Sequence, residues 1–145
     1  MNFLEDLEEN QVFKLGSVTV VKDDMIRFSE AFDPQTFHLD DDIAGEMFGG
    51  IIASGWHTAS MCHRLVVDNF LGLTACMASP GIDNIRFVKP VYADNVLTGR
   101  LTVVSTKKST SKPDRGVAKL QIELFNADDA LVFSMLGTVI IACRP

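Results

Sequence analysis

Asp33 and His38 are the residues of this chain whose types and spacing most readily suggest acid–base chemistry. A carboxylate and an imidazole can divide the tasks of taking and giving a proton near neutral pH. The two residues lie five positions apart across Pro34, and a loop fixed by that proline would let both side chains converge on one water molecule. Taken singly, each would more often be structural, Asp33 as a helix-ending turn residue and His38 as a satisfied loop or core histidine.

The element that would carry Asp33 is a helix over Asp23–Phe32, whose apolar side chains recur along one side. Pro34 disfavours helical geometry at the residue before it, so this helix should end at Asp33. At a helix C-terminus the dipole disfavours negative charge and would raise the pKa of the Asp33 carboxyl. Such a rise would suit proton exchange near neutral pH.

A strand and two further helices are predicted in the first half of the chain. The strand covers Phe13–Val20. Asp40 is a credible N-cap for a short helix over Asp41–Met47. Ser54 is the next good N-cap, and it opens a long helix over Gly55–Phe70. This long helix is apolar nearly all the way round, so we expect it to be buried.

The second half of the chain is rich in β-structure. Apolar and polar residues alternate over Ala118–Phe125 and over residues 97–103, which predicts strands with one solvated face. Leu131–Ala142 is apolar on both faces and is therefore expected to be a central strand. The pattern indicates an α+β domain in which an antiparallel sheet covers a buried helix.

Three segments resemble the family of MaoC-like acyl dehydratases and (R)-specific enoyl-CoA hydratases: Phe28–Asp40, Gly49–His57 and Gly81–Asp94. The resemblance implies a single hot-dog domain over residues 1–145, with the antiparallel sheet wrapped around the long central helix. The first ten residues could form a loosely ordered segment outside it.

The resemblance also implies a lyase in which Asp33 and His38 hold and activate water. The reaction would be the reversible hydration of a trans-2-enoyl-CoA to a 3-hydroxyacyl-CoA, in fatty acid metabolism, and which residue is acid and which is base stays open. Charge that develops on the thioester oxygen could be stabilised by the amides at the start of the long helix, where Gly55 is the candidate. Ser54 would cap the same turn. Many relatives have His-Gly where this chain has Ser54-Gly55, which bears on substrate placement.

Other residues of the similar segments could contact the substrate. Trp56 and the side chains that follow it on the long helix are near enough in sequence to line an acyl tunnel: His57, Ala59, Ser60 and His63. Arg86 is the leading candidate for the coenzyme's phosphates, because guanidinium groups pair well with phosphate. Further candidates for the same role are Lys89, Arg64, Lys107 and Lys108.

The expected substrate is an acyl-CoA thioester, with an acyl carrier protein thioester as the less favoured alternative. The expected protein partners are further copies of the chain, in a homodimer or a higher homo-oligomer, since similar proteins form dimers with active sites at the subunit interface. Coenzyme A would enter as part of the substrate, and no separate cofactor or metal is expected. Two alternatives remain, an acyl-CoA thioesterase on the same fold and a non-catalytic subunit that binds acyl thioesters.

Composition argues against several other classes. The net charge of −6 disfavours general nucleic-acid binding, and no apolar stretch reaches the roughly 20 residues of a membrane span. The acidic first residues do not resemble a signal peptide, so a cytoplasmic location is expected. Cys62, Cys76 and Cys143 form no metal-binding or disulfide pattern and are expected to be buried thiols.

Overall fold

The computed structural model describes residues 1–145 and contains one five-stranded antiparallel sheet. The strands are β1 (Val12–Thr19), β2 (Cys76–Phe87), β3 (Val96–Lys108), β4 (Arg115–Phe125) and β5 (Leu131–Ala142). Their order in the sheet is β1-β3-β4-β5-β2, and every neighbouring pair is antiparallel. The helices are α1 (Lys22–Phe32), α2 (Asp41–Phe48) and α3 (Gly55–Asn69).

The core lies between α3 and the inner face of the sheet. Alternate residues of β3 and β4, such as Leu101 and Leu120, are fully buried there, and Cys62 and Val66 project from α3 into the same cluster. This alternation arises because successive side chains of a strand point to opposite faces. A sheet that covers a central helix is the hot-dog arrangement that the family resemblance implied, and the α+β class that the residue pattern predicted is confirmed.

The predicted elements are present with small changes of boundary. The strand predicted over Phe13–Val20 is β1, and the three helices begin and end within one residue of their predicted limits. Asp40 caps α2 as expected, since its carboxylate accepts the amides of Asp42 and Ile43. The strand predicted over Leu131–Ala142 is β5, which lies inside the sheet between β4 and β2.

The strand β2 was not predicted from the alternation of apolar and polar residues. It forms an edge of the sheet, pairs only with β5, and is exposed along most of its length. Pro80 and Gly81 interrupt it, and its register with β5 shifts at three places. Each such bulge inserts a residue and reverses the alternation of side chains, so no period-two pattern survives.

The expectation that α3 is buried all round is wrong. Its buried face carries Thr58, Cys62, Leu65 and other residues that pack against the sheet. The opposite face is open, and Trp56 on it is 58% exposed. The apolar residues of α3 therefore form two faces, of which only one is covered by this chain.

The ends of the chain pack together. The first ten residues differ from the loosely ordered segment expected of them, because Leu4 and Leu7 are buried in the core. The Arg144 guanidinium donates to both carboxylate oxygens of Asp6, at 2.6 and 2.7 Å. This contact joins the two ends of the chain.

Of the three thiols expected to be buried, Cys62 and Cys143 are buried and Cys76 is exposed on β2. Burial raises the pKa of the Cys62 thiol to about 12. None of the helices is both long enough and apolar enough to cross a bilayer.

Candidate active site

Asp33 is presented by the end of α1. Its amide donates to the carbonyl of Ser29 at 2.9 Å, while its own dihedral angles (φ −149°, ψ 68°) leave the helical region, as the following Pro34 requires. The chain then forms a 3₁₀ turn over Thr36–His38. This turn brings His38 back beside the residue that ended the helix.

The side chains of Asp33 and His38 face each other. Nε2 of His38 lies 3.3 Å from Oδ2 of Asp33, with 5% of the histidine side chain and 17% of the aspartate side chain exposed. Nδ1 of His38 donates to the carbonyl of Ile52 at 2.7 Å. Because a carbonyl oxygen can only accept, Nδ1 carries a proton and Nε2 is the nitrogen directed at the carboxylate.

Two other side chains donate hydrogen bonds to the Asp33 carboxylate. Nε2 of Gln35 donates to Oδ1 at 2.6 Å, and Oγ of the fully buried Ser54 donates to Oδ2 at 2.7 Å. The bonds from Gln35 and Ser54, with a smaller contribution from His38, hold the pKa of Asp33 below its usual value. The expected rise from the helix dipole is therefore wrong, because direct hydrogen bonds outweigh the dipole.

The first turn of α3 supplies unused amide donors. Ser54 makes no side-chain cap, contrary to prediction, because its hydroxyl is turned to Asp33. Its carbonyl accepts the amides of His57 and Thr58, both at 3.0 Å. The amides of Gly55 and Trp56 have no acceptor within the protein, so they are free to bind an oxygen of a ligand.

These groups line a cavity of about 340 Å³, which is within the range of small-molecule sites. Asp33, His38, Gly55 and Trp56 form part of its wall, and the remaining lining residues are Gln35, Ile52, Ala53, Thr58, Phe87, Lys89, Pro90, Val91 and Val132. The α3 start is closely packed, because a Cβ on Gly55 would lie 2.8–2.9 Å from three ring carbons of Phe87. The Trp56 ring meets Phe87 edge-on, with centroids 6.1 Å apart.

Of the basic residues predicted to bind the coenzyme's phosphates, all but one lie outside this cavity. Arg86 does not line the cavity; its guanidinium is exposed and donates to the carbonyl of the neighbouring Ile85. Lys89 does line it and is the only basic side chain that does. Lys107 and Lys108 end β3 outside the cavity, and Arg64 pairs with Asp68 on the surface of α3.

The residues predicted to line an acyl tunnel are dispersed. His57 is buried and stacks on Phe28, with ring centroids 5.0 Å apart. The Ser60 hydroxyl donates back to the Trp56 carbonyl. His63 lines a separate, narrower cleft between α3 and the sheet, and Ala59 packs against the core. Only Trp56 reaches the cavity that contains Asp33.

Two residues that contact the candidate site, Gln35 and Phe87, were not assigned from the sequence. Gln35 carried a signal, since it lies two positions after Asp33 in the proline-fixed loop, where a polar side chain can turn back on the carboxylate. Phe87 gave no such signal, because its approach to Gly55 depends on where β2 lies in the sheet.

Comparison with known proteins identifies the family of this chain. Residues 6–123 match the family described as MaoC like domain. The uncharacterized protein YdeM of Bacillus subtilis (strain 168) is 32% identical over 131 residues, covering 90% of this chain and 92% of YdeM.

Solved structures show the same fold. The MaoC-like dehydratase from Rhodospirillum rubrum superimposes with a TM-score of 0.93 and 33% identity, covering 100% of this chain and 99% of that one. The (R)-hydratase from A. caviae involved in PHA biosynthesis superimposes with a TM-score of 0.76 and 22% identity, covering 97% of this chain and 99% of that one. RV0216 of Mycobacterium tuberculosis, which has a double hotdog fold, superimposes with a TM-score of 0.83 and 19% identity. The match covers 44% of the RV0216 chain.

Proposed function

This chain belongs to the family of MaoC-like dehydratases, and we propose that it is a hydro-lyase that reversibly hydrates a trans-2-enoyl-CoA to a 3-hydroxyacyl-CoA. The observation that carries the proposal is the Asp33–His38 pair, 3.3 Å apart in a cavity whose wall also holds the free amides of Gly55 and Trp56. A proton-exchanging pair and a set of oxyanion donors are the two components that this addition requires.

The chemistry follows from the positions of these groups. Water held by Asp33 and His38 loses a proton to the pair as its oxygen bonds to Cβ of the enoyl group. The pair then gives a proton to Cα, which completes the addition of water and returns the pair to its starting protonation state. In between, negative charge moves to the thioester oxygen. The amides of Gly55 and Trp56 stabilise that charge without reorganising, because the helix already fixes them.

Charge on the surface favours coenzyme A over an acidic carrier protein. Residues 22–48, which carry Asp33 and His38, contain eight acidic and two basic side chains and account for the whole net charge of −6. An acidic protein docking against this segment would meet like charge, which opposes association. Coenzyme A is flexible and can direct its phosphates towards Lys89, which lines the cavity.

A homodimer is also part of the proposal. The edge strand β2 leaves one row of backbone groups unpaired, and Ile82 and Phe87 on it are 51% and 50% exposed. Trp56 on the open face of α3 adds to this apolar surface. Pairing of two β2 strands would cover both features, and the double hot-dog fold of RV0216 places two such units in one chain.

The direct test is hydration of enoyl-CoAs by the purified protein. Crotonyl-CoA, longer enoyl-CoAs and branched or dicarboxylic ones are mixed with the protein, and loss of the conjugated-thioester absorbance is followed. We expect turnover with at least one of them, and its loss in Asp33→Asn and in His38→Ala. Asp68→Asn is the matched control, because it removes a surface carboxylate outside the cavity and should retain activity.

Other outcomes would contradict the proposal. Activity that survives both Asp33→Asn and His38→Ala would show that the pair is not the catalytic group. Release of free thiol from saturated acyl-CoAs would indicate a thioesterase, and saturable binding of CoA esters without turnover would indicate a binding subunit. Faster turnover of the same acyl group on an acyl carrier protein would contradict the choice of carrier.

A further inference from the structure

The Asp33 carboxylate is held from two sides by side chains other than His38. The Gln35 amide donates to Oδ1 at 2.6 Å, and the Ser54 hydroxyl donates to Oδ2 at 2.7 Å. Gln35 comes from the loop after α1, whereas Ser54 directly precedes α3. We propose that Gln35 and Ser54 are positioning residues, which keep Asp33 ionised and fix its Oδ2 towards Nε2 of His38.

The chemistry of the two donors supports this role. A side-chain NH₂ group can only donate, so the contact from Gln35 favours the charged form of the carboxyl group. The Ser54 hydroxyl is fully buried, and Asp33 is its hydrogen-bond partner. A buried hydroxyl left without a partner would be costly, so the bond between Ser54 and Asp33 is maintained.

The same contacts fix the geometry of the pair. Oδ2 receives the Ser54 hydroxyl and faces His38, while the other nitrogen of His38 is held by the Ile52 carbonyl at 2.7 Å. Rotation of the Asp33 carboxylate would break both of its donor contacts, and rotation of the imidazole would break the third. The Asp33–His38 distance is thus set by three hydrogen bonds that come from outside the pair.

The proposal rests on the proposed function and adds a change in pH dependence to it. Both donors withdraw charge from the carboxylate, so removing either one raises the proton affinity of the Asp33–His38 pair. The acid limb of kcat/KM, below which the pair is protonated, should then move to higher pH. The other titratable or charged side chain that lines the cavity is Lys89, which is unchanged in these variants.

The experiment measures the pH profile of hydration in four variants. In Gln35→Ala and Ser54→Ala we expect the acid limb to rise by about one pH unit, the effect of losing one hydrogen bond to a charged group. Gln35→Glu keeps the shape of the side chain but brings a second carboxylate beside Asp33, so the acid limb of this variant should move to still higher pH. Ser54→Thr retains the hydroxyl, so the acid limb of its kcat/KM profile should stay at the pH of the original protein.

A second measurement separates this proposal from the proposed function. The titration of the Asp33 carboxyl group, followed by NMR in the protein without substrate, should move to higher pH in Gln35→Ala and Ser54→Ala, because each variant removes one hydrogen bond that lowers the pKa of Asp33. Unchanged titration and an unmoved acid limb in both variants would overturn the positioning role, even if the enzyme hydrates enoyl-CoA. A shifted titration in a protein that hydrates none of the thioesters would support positioning and contradict the proposed function.

Discussion

Gly55→Ala places one methyl group at the most closely packed point of the cavity. The new Cβ would lie 2.8–2.9 Å from three ring carbons of Phe87, whereas carbon atoms pack comfortably at about 3.5–4.0 Å. The ring, or the start of α3, must therefore move by about 0.7 Å or more. Phe87 is half-exposed in the single chain and lies on the edge strand, so its side chain, rather than the backbone of α3, is the group that yields.

The effect on stability should be small. Such crowding costs about 1 kcal/mol where a side chain can yield, and alanine in place of glycine in a helix returns about 1 kcal/mol. The effect on catalysis should be large, because the methyl group would stand beside the Gly55 amide, where the thioester oxygen is expected. The Gly55 N–H itself remains, but an oxygen held away from it loses that hydrogen bond, and loss of one oxyanion donor lowers kcat about 100-fold to 1,000-fold.

The assay compares hydration rates and urea unfolding of Gly55→Ala with those of two other proteins. Gly45→Ala on α2 is the matched control, since a Cβ there meets nothing within 4 Å, and it should keep full activity. Adding Phe87→Ala to Gly55→Ala removes the ring. This double variant tests whether the displaced Phe87 ring causes the loss of hydration activity. A Gly55→Ala protein that hydrates within about threefold of the original rate would refute the placement of the thioester oxygen beside the Gly55 amide.

Two further predictions concern assembly and stability. Ile82→Lys on β2 should lower the mass measured by light scattering from that of a dimer to that of a single chain. Val104→Lys, at an exposed site on β3, is the control and should keep the dimer mass. A single-chain mass of the unmodified protein would contradict the dimer. Phe70→Ala empties a fully buried site that packs edge-on against Phe13 and should lower the free energy of unfolding in urea by about 3–5 kcal/mol. Leu73→Ala, at a 56% exposed site, is its control, and equal losses in the two variants would contradict the assigned core.

Local rules were enough to predict much of the fold. Pro34 determined where α1 ends, and Asp40 determined where α2 begins, because steric exclusion and capping act over a few residues. The alternation in Ala118–Phe125 predicted both the strand and its buried face. The choice of a hot-dog fold among α+β folds came from the family resemblance.

Local signals were sufficient to predict that Asp33 lies at a helix end, that His38 lies on the following loop, and that a helix begins at Gly55. The contacts that these residues make with other elements depend on how the elements pack. Ser54 is 21 residues from Asp33, too far in sequence for a local rule, and its hydroxyl reaches the carboxylate only because α1 and α3 meet there. The capping role of Ser54 was wrong for this reason. The expected rise in the pKa of Asp33 was wrong because Gln35, two residues away, and Ser54, across the interface, both donate hydrogen bonds to the carboxylate. Such direct hydrogen bonds act at shorter range and more strongly than a helix dipole.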